Sequence, residues 1–338
     1  MTRAKTLGAT LALALAATTA LATAARAEVS ELRVSKGYGI LYLPLMVMQD
    51  KKLVEKHAKE AGLGDLNVTW RLLDGGNVIN DAMLSGALDI AGTGAPGFIT
   101  LWSKAKGSSA EVVGVSGMST TGLWLNTNNP AVKSLGDFTA KDKIAIPGIK
   151  TSLAAVVLQM AVAKEFGEKD YARLDPMTVG LPHPEAYQAL VSGGTEITAH
   201  FASPPYSYLE VADPKVHRVL NASDVLGDIT LDVVYAPKRF TTENPKVTAA
   251  FIAAQDEANE LIASNKEEAA DIFIRVSGVK MDKAQALQMI EDKDTKFSTT
   301  PKGVMDFAKF MGGVGSIKRV PKDWADMFVA DLHGRAGS

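Results

Sequence analysis

Residues Ala82–Pro96 read Ala-Met-Leu-Ser-Gly-Ala-Leu-Asp-Ile-Ala-Gly-Thr-Gly-Ala-Pro. The pattern returns 107 residues later at Ala189–Ser203, as Ala-Leu-Val-Ser-Gly-Gly-Thr-Glu-Ile-Thr-Ala-His-Phe-Ala-Ser. Ala, Ser, Gly and Ile coincide, and Asp89 is answered by Glu196. Each copy closes a helix at a Gly, crosses a short apolar strand and breaks into small and polar residues, where a new helix would open with free N–H groups. Repeats set architecture. Two such copies imply two α/β lobes facing a shared cleft.

A second pair of segments agrees. Leu32 and Val34 lead through Gly37-Tyr38-Gly39 into Leu43-Pro44 and a helix. Ile144 and Ile146 lead through Pro147-Gly148 into Thr151-Ser152 and a long apolar helix. In open α/β sheets ligands sit off the carboxyl ends of such strands.

Expected strands are 32–35, 67–73, 89–91, 111–115, 143–146, 177–179, 196–199, 216–220 and 230–235. Expected helices are 43–57, 77–85, 95–104, 152–166, 184–191 and 204–211. From Pro237 the pattern turns helical, at 245–264, 266–276, 282–291, 301–312 and 322–332. Alternation of strand and helix predicts mostly parallel sheets. The late helices, with Val247, Phe251, Ala254, Ala258 and Leu261 on one face, read as packing on the first lobe. The lobe boundary is expected at 119–122, with a return crossing near 227–234. That gives a discontinuous first lobe (28–120 and 230–338), a second lobe (121–229) and a hinge of two crossovers.

The ends and composition narrow the class. Arg3 and Lys5, an apolar stretch over 7–25 and the Ala25-Arg26-Ala27 site read as a secretory signal peptide covering 1–27. The chain has no cysteine, which removes disulfides, thiol chemistry and a cysteine-linked lipid anchor. The leader takes three of the 36 basic residues and none of the 38 acidic ones. The remainder holds 33 basic against 38 acidic residues, a formal charge of −5. That balance argues against a nucleic-acid partner. About 311 of the 338 residues remain, enough for two cored lobes.

Candidate contacts cluster at the strand ends. Lys150, Thr151 and Ser152 stand at a helix opening suited to an anion, or to a plain N-cap beside a solvated lysine. Thr93, Gly94 and Ala95 can bring N–H groups and a hydroxyl to a ligand. His200 occupies the place of Thr93 in the second copy. Phe201 can stack on a flat molecule, Ser203 follows, and Tyr206 reads as structural. Ser119 and Thr120 belong to the hydroxyl-rich hinge. Asp232 either meets a ligand cation or, the plainer reading, pairs with a basic side chain.

Catalytic patterns are missing. Gly114-Val115-Ser116-Gly117-Met118 fails the nucleophile-elbow spacing. Ser-x-x-Lys appears twice without its companion motifs, and the histidines at 57, 183, 200, 217 and 333 show no zinc spacing. No cofactor and no metal are expected.

With Gly37–Pro44, Leu84–Pro96 and Ile144–Gly148 in view, the mature chain resembles the substrate-binding proteins of nitrate/sulfonate/taurine-type ABC importers. The resemblance implies the type II periplasmic-binding-protein fold, in which two lobes close on a small molecule and present it to the transmembrane subunits of a permease. It implies that these loops line the cleft, with Leu41 and Tyr42 in the first. Enzymes making the thiamine pyrimidine share the fold but carry a Cys-rich iron motif, which this chain lacks. The expected protein is a monomeric periplasmic binder of a small organic anion, sulfonate- or carboxylate-like. The alternatives are a thiamine-pyrimidine-like or other aromatic heterocycle as ligand, an exported enzyme on the same fold, and a TRAP-like receptor or sensor.

Overall fold

The computed structural model describes residues 27–338. Its strands are β1 (Glu31–Lys36), β2 (Asn67–Leu72), β3 (Ile90–Gly94), β4 (Val112–Thr120), β5 (Trp124–Thr127), β6 (Ile144–Ile146), β7 (Thr178–Gly180), β8 (Ala199–Ala202), β9 (His217–Asn221), β10 (Asp232–Pro237) and β11 (Lys296–Phe297). They form a six-stranded sheet in the order β11-β4-β10-β3-β1-β2 and a five-stranded sheet in the order β7-β6-β8-β5-β9.

Both sheets are mixed, where the alternating pattern predicts mostly parallel ones. β1 runs parallel to β2 and β3, but β10 runs antiparallel to β3 and β4. In the second sheet β6 is parallel to β7 and β8, while β5 is antiparallel to β8 and β9. The cause is the pair of crossings. The chain passes from β4 in the first sheet to β5 in the second through residues 121–123, so β5 enters its sheet from the crossing rather than through a βαβ return. β10 likewise arrives from the other sheet and inserts against its neighbours.

Other expectations shift. β4 extends to Thr120, so Ser119 and Thr120 are strand residues. β8 starts at Ala199, where 196–199 was expected, and β5 was not foreseen as a strand. The helix expected over 43–57 is two, Leu43–Lys51 and Leu53–Glu60, broken where Lys52 turns left-handed (φ 53°). Residues 322–332 are two 3-10 turns, Trp324–Asp326 and Ala330–Leu332. There Phe328 bridges to Gly114 and packs its ring against it, at the site a Cβ would fill.

The late helices do cover the first sheet. Pro245–Ser264 buries Val247, Phe251, Ala254 and Ala258 against the helices at 43–51 and 53–60 and against β4. On the same helix, buried Gln255 gives its amide N–H to Gly117 O (2.7 Å) and accepts from Ser116 Oγ (2.5 Å). It thereby satisfies β4 beside a register shift against β10. The first described residues are tied in too: the Glu28 carboxylate accepts the N–H groups of Lys246 and Val247 (3.0 and 2.8 Å). A carboxylate at a helix N-terminus is favourable there. Apart from Ala27, the expected leader lies outside the described residues.

Candidate functional site

A cavity lies between the two sheets, at the carboxyl ends of β1, β2, β3, β6 and β8. The space open to the centre of a water-sized sphere is about 50 Å³, several times what one water requires. The first sheet supplies Tyr38, Leu41 and Tyr42 after β1, Asp74, Gly75 and Gly76 after β2, Thr93 and Gly94 from β3, and Asp232 at the start of β10. The second supplies Pro147 after β6, Ser152, Leu153 and Ala154 at the opening of the helix Leu153–Phe166, His183, and Phe201 and Ser203 from β8. Ile79 and Leu123 complete the wall.

The loops of the two sheets touch around it. Ile40 N–H donates to Pro204 O (2.9 Å), Thr151 Oγ donates to Asn77 Oδ1 (2.8 Å), and His183 N–H reaches Asp74 Oδ2 (3.4 Å). Gly39 makes the first contact possible. Its φ of 92° suits glycine, and a Cβ there would stand 2.5 Å from Pro204 O. Tyr42 is seated by absent side chains: a Cβ on Gly37 would stand 2.6 Å from its ring, and one on Gly92 3.2 Å.

The electrostatics are acidic. Asp232 is 2 % exposed, and burial pushes its carboxyl up to about 7, with a hydrogen bond from Tyr42 drawing it down and nearby Asp74 adding to the rise. Asp74 is raised as well, chiefly by desolvation. Two buried polar atoms on the wall have no partner among the described residues, Asp232 Oδ2 and Thr93 Oγ1. They sit on adjacent strands, where Asp232 pairs with Gly94 and Val233 with Thr93. Among the described residues, no lysine or arginine lines the cavity. The one buried lysine near the β1 loop, Lys36, lies outside the lining and has no ion pair among the described residues; burial pushes it down to about 8.

The opposite wall is backed by a chain of imidazoles. His183 Nε2 faces Ser203 Oγ (3.4 Å), His183 Nδ1 meets His200 Nε2 (2.8 Å), and His200 Nδ1 meets Glu210 Oε1 (2.5 Å). Asn126 Nδ2 donates to Glu210 Oε2 (2.8 Å) and to Ser207 O (3.0 Å). His200 and Glu210 are both fully buried. Tyr206 stacks on His183, with ring centroids 5.8 Å apart.

Of the residues singled out in the sequence, Leu41, Tyr42, Thr93, Gly94, Ser152, Phe201, Ser203 and Asp232 meet at the cavity. The others lie elsewhere. Ala95 is buried, with its N–H on Leu231 O (2.8 Å). Ser119 and Thr120 line a separate small pocket with Lys296 and Lys302. Lys150 is exposed in a left-handed turn (φ 67°), and Thr151 is engaged by Asn77. His200 stands behind the wall. Ser152 caps its helix through Ala155 N–H (3.2 Å). The plain reading of Asp232 as a paired carboxylate fails: no basic side chain among the described residues meets it. Sequence reasoning missed Asp74-Gly75-Gly76, though it follows β2 as a third strand-to-helix opening, and His183, which follows β7 in the same way.

The architecture is the periplasmic binding protein fold. No protein-family model matches the chain, and no curated protein does either. Among solved structures it is similar to the alkanesulfonate-binding protein SsuA from Xanthomonas axonopodis pv. citri bound to MOPS, with TM-score 0.69, 18 % identity and coverage of 87 % of this chain and 96 % of that one. It is also similar to the nitrate-binding protein NrtA from Synechocystis PCC 6803, with TM-score 0.69, 15 % identity and coverage of 89 % and 85 %. The aliphatic sulphonate-binding protein SsuA from Escherichia coli gives TM-score 0.64 at 17 % identity, covering 91 % and 100 %. At such identities the likeness establishes the fold.

Proposed function

We propose that this chain is the solute-binding protein of an ABC importer, and that its solute is a small amino-bearing heterocycle or compact amine. The observation that carries this is the pair of buried atoms without a partner among the described residues, Asp232 Oδ2 and Thr93 Oγ1, in a cavity lined by two carboxyls and by no described lysine or arginine. Buried polar atoms without partners are rare in native proteins and call for an explanation. A ligand N–H or ammonium group supplies both missing partners and offsets the cost of ionising Asp232. Tyr42, Leu41 and Phe201 provide flat apolar surface, as expected of a small-molecule site. An acceptor edge on the same ligand would face the first-turn N–H groups of Leu153 and Ala154, which have no partner within their own helix. This revises the organic-anion expectation, whose lysine is exposed and whose helix opening meets two carboxyls across the cavity.

On this reading the mature protein starts at Glu28, works as a monomer in the periplasm and delivers its ligand to permease transmembrane subunits. The lobes are residues 28–120 with 230–338, and 121–229, and binding favours the closed arrangement. The division is supported by the sheets, since strands between 124 and 221 form one and the remainder form the other. Thermal melting at pH 8 with 4-aminopyrimidine, guanidine and methanesulfonate tests the ligand class. The amino compounds raise the melting temperature and Asp232→Asn abolishes the rise. Stabilisation by the sulfonate alone, untouched by Asp232→Asn, would overturn it.

A further inference from the structure

The chain Glu210–His200–His183–Ser203 ends on the cavity wall, yet only its last two members touch the cavity. We propose that Glu210, which no ligand reaches, makes His183 a hydrogen-bond donor toward the cavity by fixing its ring tautomer through His200.

The argument begins with charge. Glu210 is fully buried, and among the described residues its side chain hydrogen-bonds only Asn126 and His200. A lone buried carboxylate costs several kcal/mol or more, whereas a neutral pair does not carry that cost. Neutrality requires one proton shared between Glu210 and His200 Nδ1, in addition to the proton on His200 Nε2. Wherever along the 2.5 Å contact the shared proton rests, His200 Nε2 keeps its own. That N–H has one acceptor in reach, His183 Nδ1 at 2.8 Å. His183 is itself neutral, because burial and the neighbouring His200 hold its pKa well below the usual histidine range. With Nδ1 accepting, the ring proton of His183 must sit on Nε2, facing Ser203 Oγ and the cavity.

The wall then presents a donor at His183 opposite acceptors at Asp232 and Asp74. A heterocycle with an amino group beside a ring nitrogen matches both sides. This consequence for the ligand rests on the cavity being the solute site. The tautomer itself does not, so the two can fail separately.

Nitrogen-15 NMR of the histidine rings at pH 7, on the ligand-free full-length mature chain, reads the tautomer directly. Wild type is expected to show His183 with Nε2 protonated and Nδ1 bare, favoured about tenfold or more. Glu210→Gln should keep that state. Asn126 stays tied to Ser207 O and donates to the new amide oxygen, so the amide N–H donates to His200 Nδ1 and leaves the proton on His200 Nε2. Glu210→Leu removes the constraint, and the preference should fall to within about threefold of even. A wild-type His183 with Nδ1 protonated overturns the proposal even if neither variant folds. So does a Leu variant that folds and keeps the wild-type tautomer. With 4-aminopyrimidine as probe, the Leu variant should show at least about a tenfold weaker affinity. If the tautomer changes and the affinity does not, the solute-site reading fails and the tautomer assignment stands.

Discussion

Thr93 and His200 hold the same place in the two copies of the repeat, and they meet opposite fates. Thr93 is the penultimate residue of β3 and lines the cavity, its hydroxyl without a partner among the described residues. His200 lies inside β8 with both ring nitrogens engaged and no exposure at all. Alternation along β8 explains the second case: with His200 turned inward, Phe201 and Ser203 take the cavity side. The first wall thus carries unmet polar demand at the cavity itself, while behind the second both histidine rings are paired and the unpartnered atoms, Asn126 Oδ1 and Ser207 Oγ, belong to residues that do not line the cavity. On the proposed solute-binding reading, demand at the cavity is stability given up for a ligand, whereas the paired rings keep theirs without one.

Three substitutions test that contrast, and a fourth, at Lys36 away from both walls, sets the scale for a buried charge. His200→Ala leaves Glu210 buried with no charge partner and only the Asn126 amide among the described residues beside it, and chemical denaturation should show a loss of about 3–5 kcal/mol. Asp232→Asn should act in the other direction. The folded carboxyl titrates near 7 and the unfolded one near 4, so its contribution is full below the unfolded value and is lost as pH rises from about 4 through 7. The Asn variant should therefore exceed wild type by about 2–4 kcal/mol at pH 8, with the gap closing below pH 4. Lys36→Met removes an unpaired buried ammonium, and its gain at pH 7 should be about 1–3 kcal/mol. Folded Lys36 releases its proton near 8 and unfolded lysine near 10.5. Wild type therefore recovers stability between those values, and the gap should narrow there. The smallest effect is Thr93→Val, neutral to about 1 kcal/mol stabilising in the ligand-free protein. A large loss at Thr93 or Asp232, or none at His200, would erase the contrast between the walls.

The repeat and the strand-end loops were legible in the chain because each leaves a local signature: an apolar run, then Gly, Ser or Pro at a helix opening. Five of the cavity residues, Thr93, Gly94, Ser152, Phe201 and Ser203, follow from that signature; Leu41 and Tyr42 came from the family resemblance, and Asp232 from its place in an apolar strand. What stayed hidden depends on distant partners. Nothing near Glu210 marks it as the base of a histidine chain, since its partners come from Asn126 on β5 and His200 on β8. The direction of β5 and β10 was hidden because it is set by the crossings between sheets. Lys150 misled because a helix opening beside a lysine does suggest an anion. Only the left-handed turn at that residue sends it to solvent.

The hydrogen bond from Ile40 to Pro204 joins loops of the two sheets, and neither residue belongs to the cavity wall. On the proposed solute-binding reading it therefore bears on how long a captured molecule stays more than on which molecule is captured. Separating the sheets at that point costs one backbone hydrogen bond, about 1 kcal/mol or roughly fivefold in dwell time. On that reading, two chains with identical walls would differ by that factor in the pace at which they release a bound molecule. Gly39, whose missing methyl group admits the Pro204 carbonyl, is where such a change of tempo would be written.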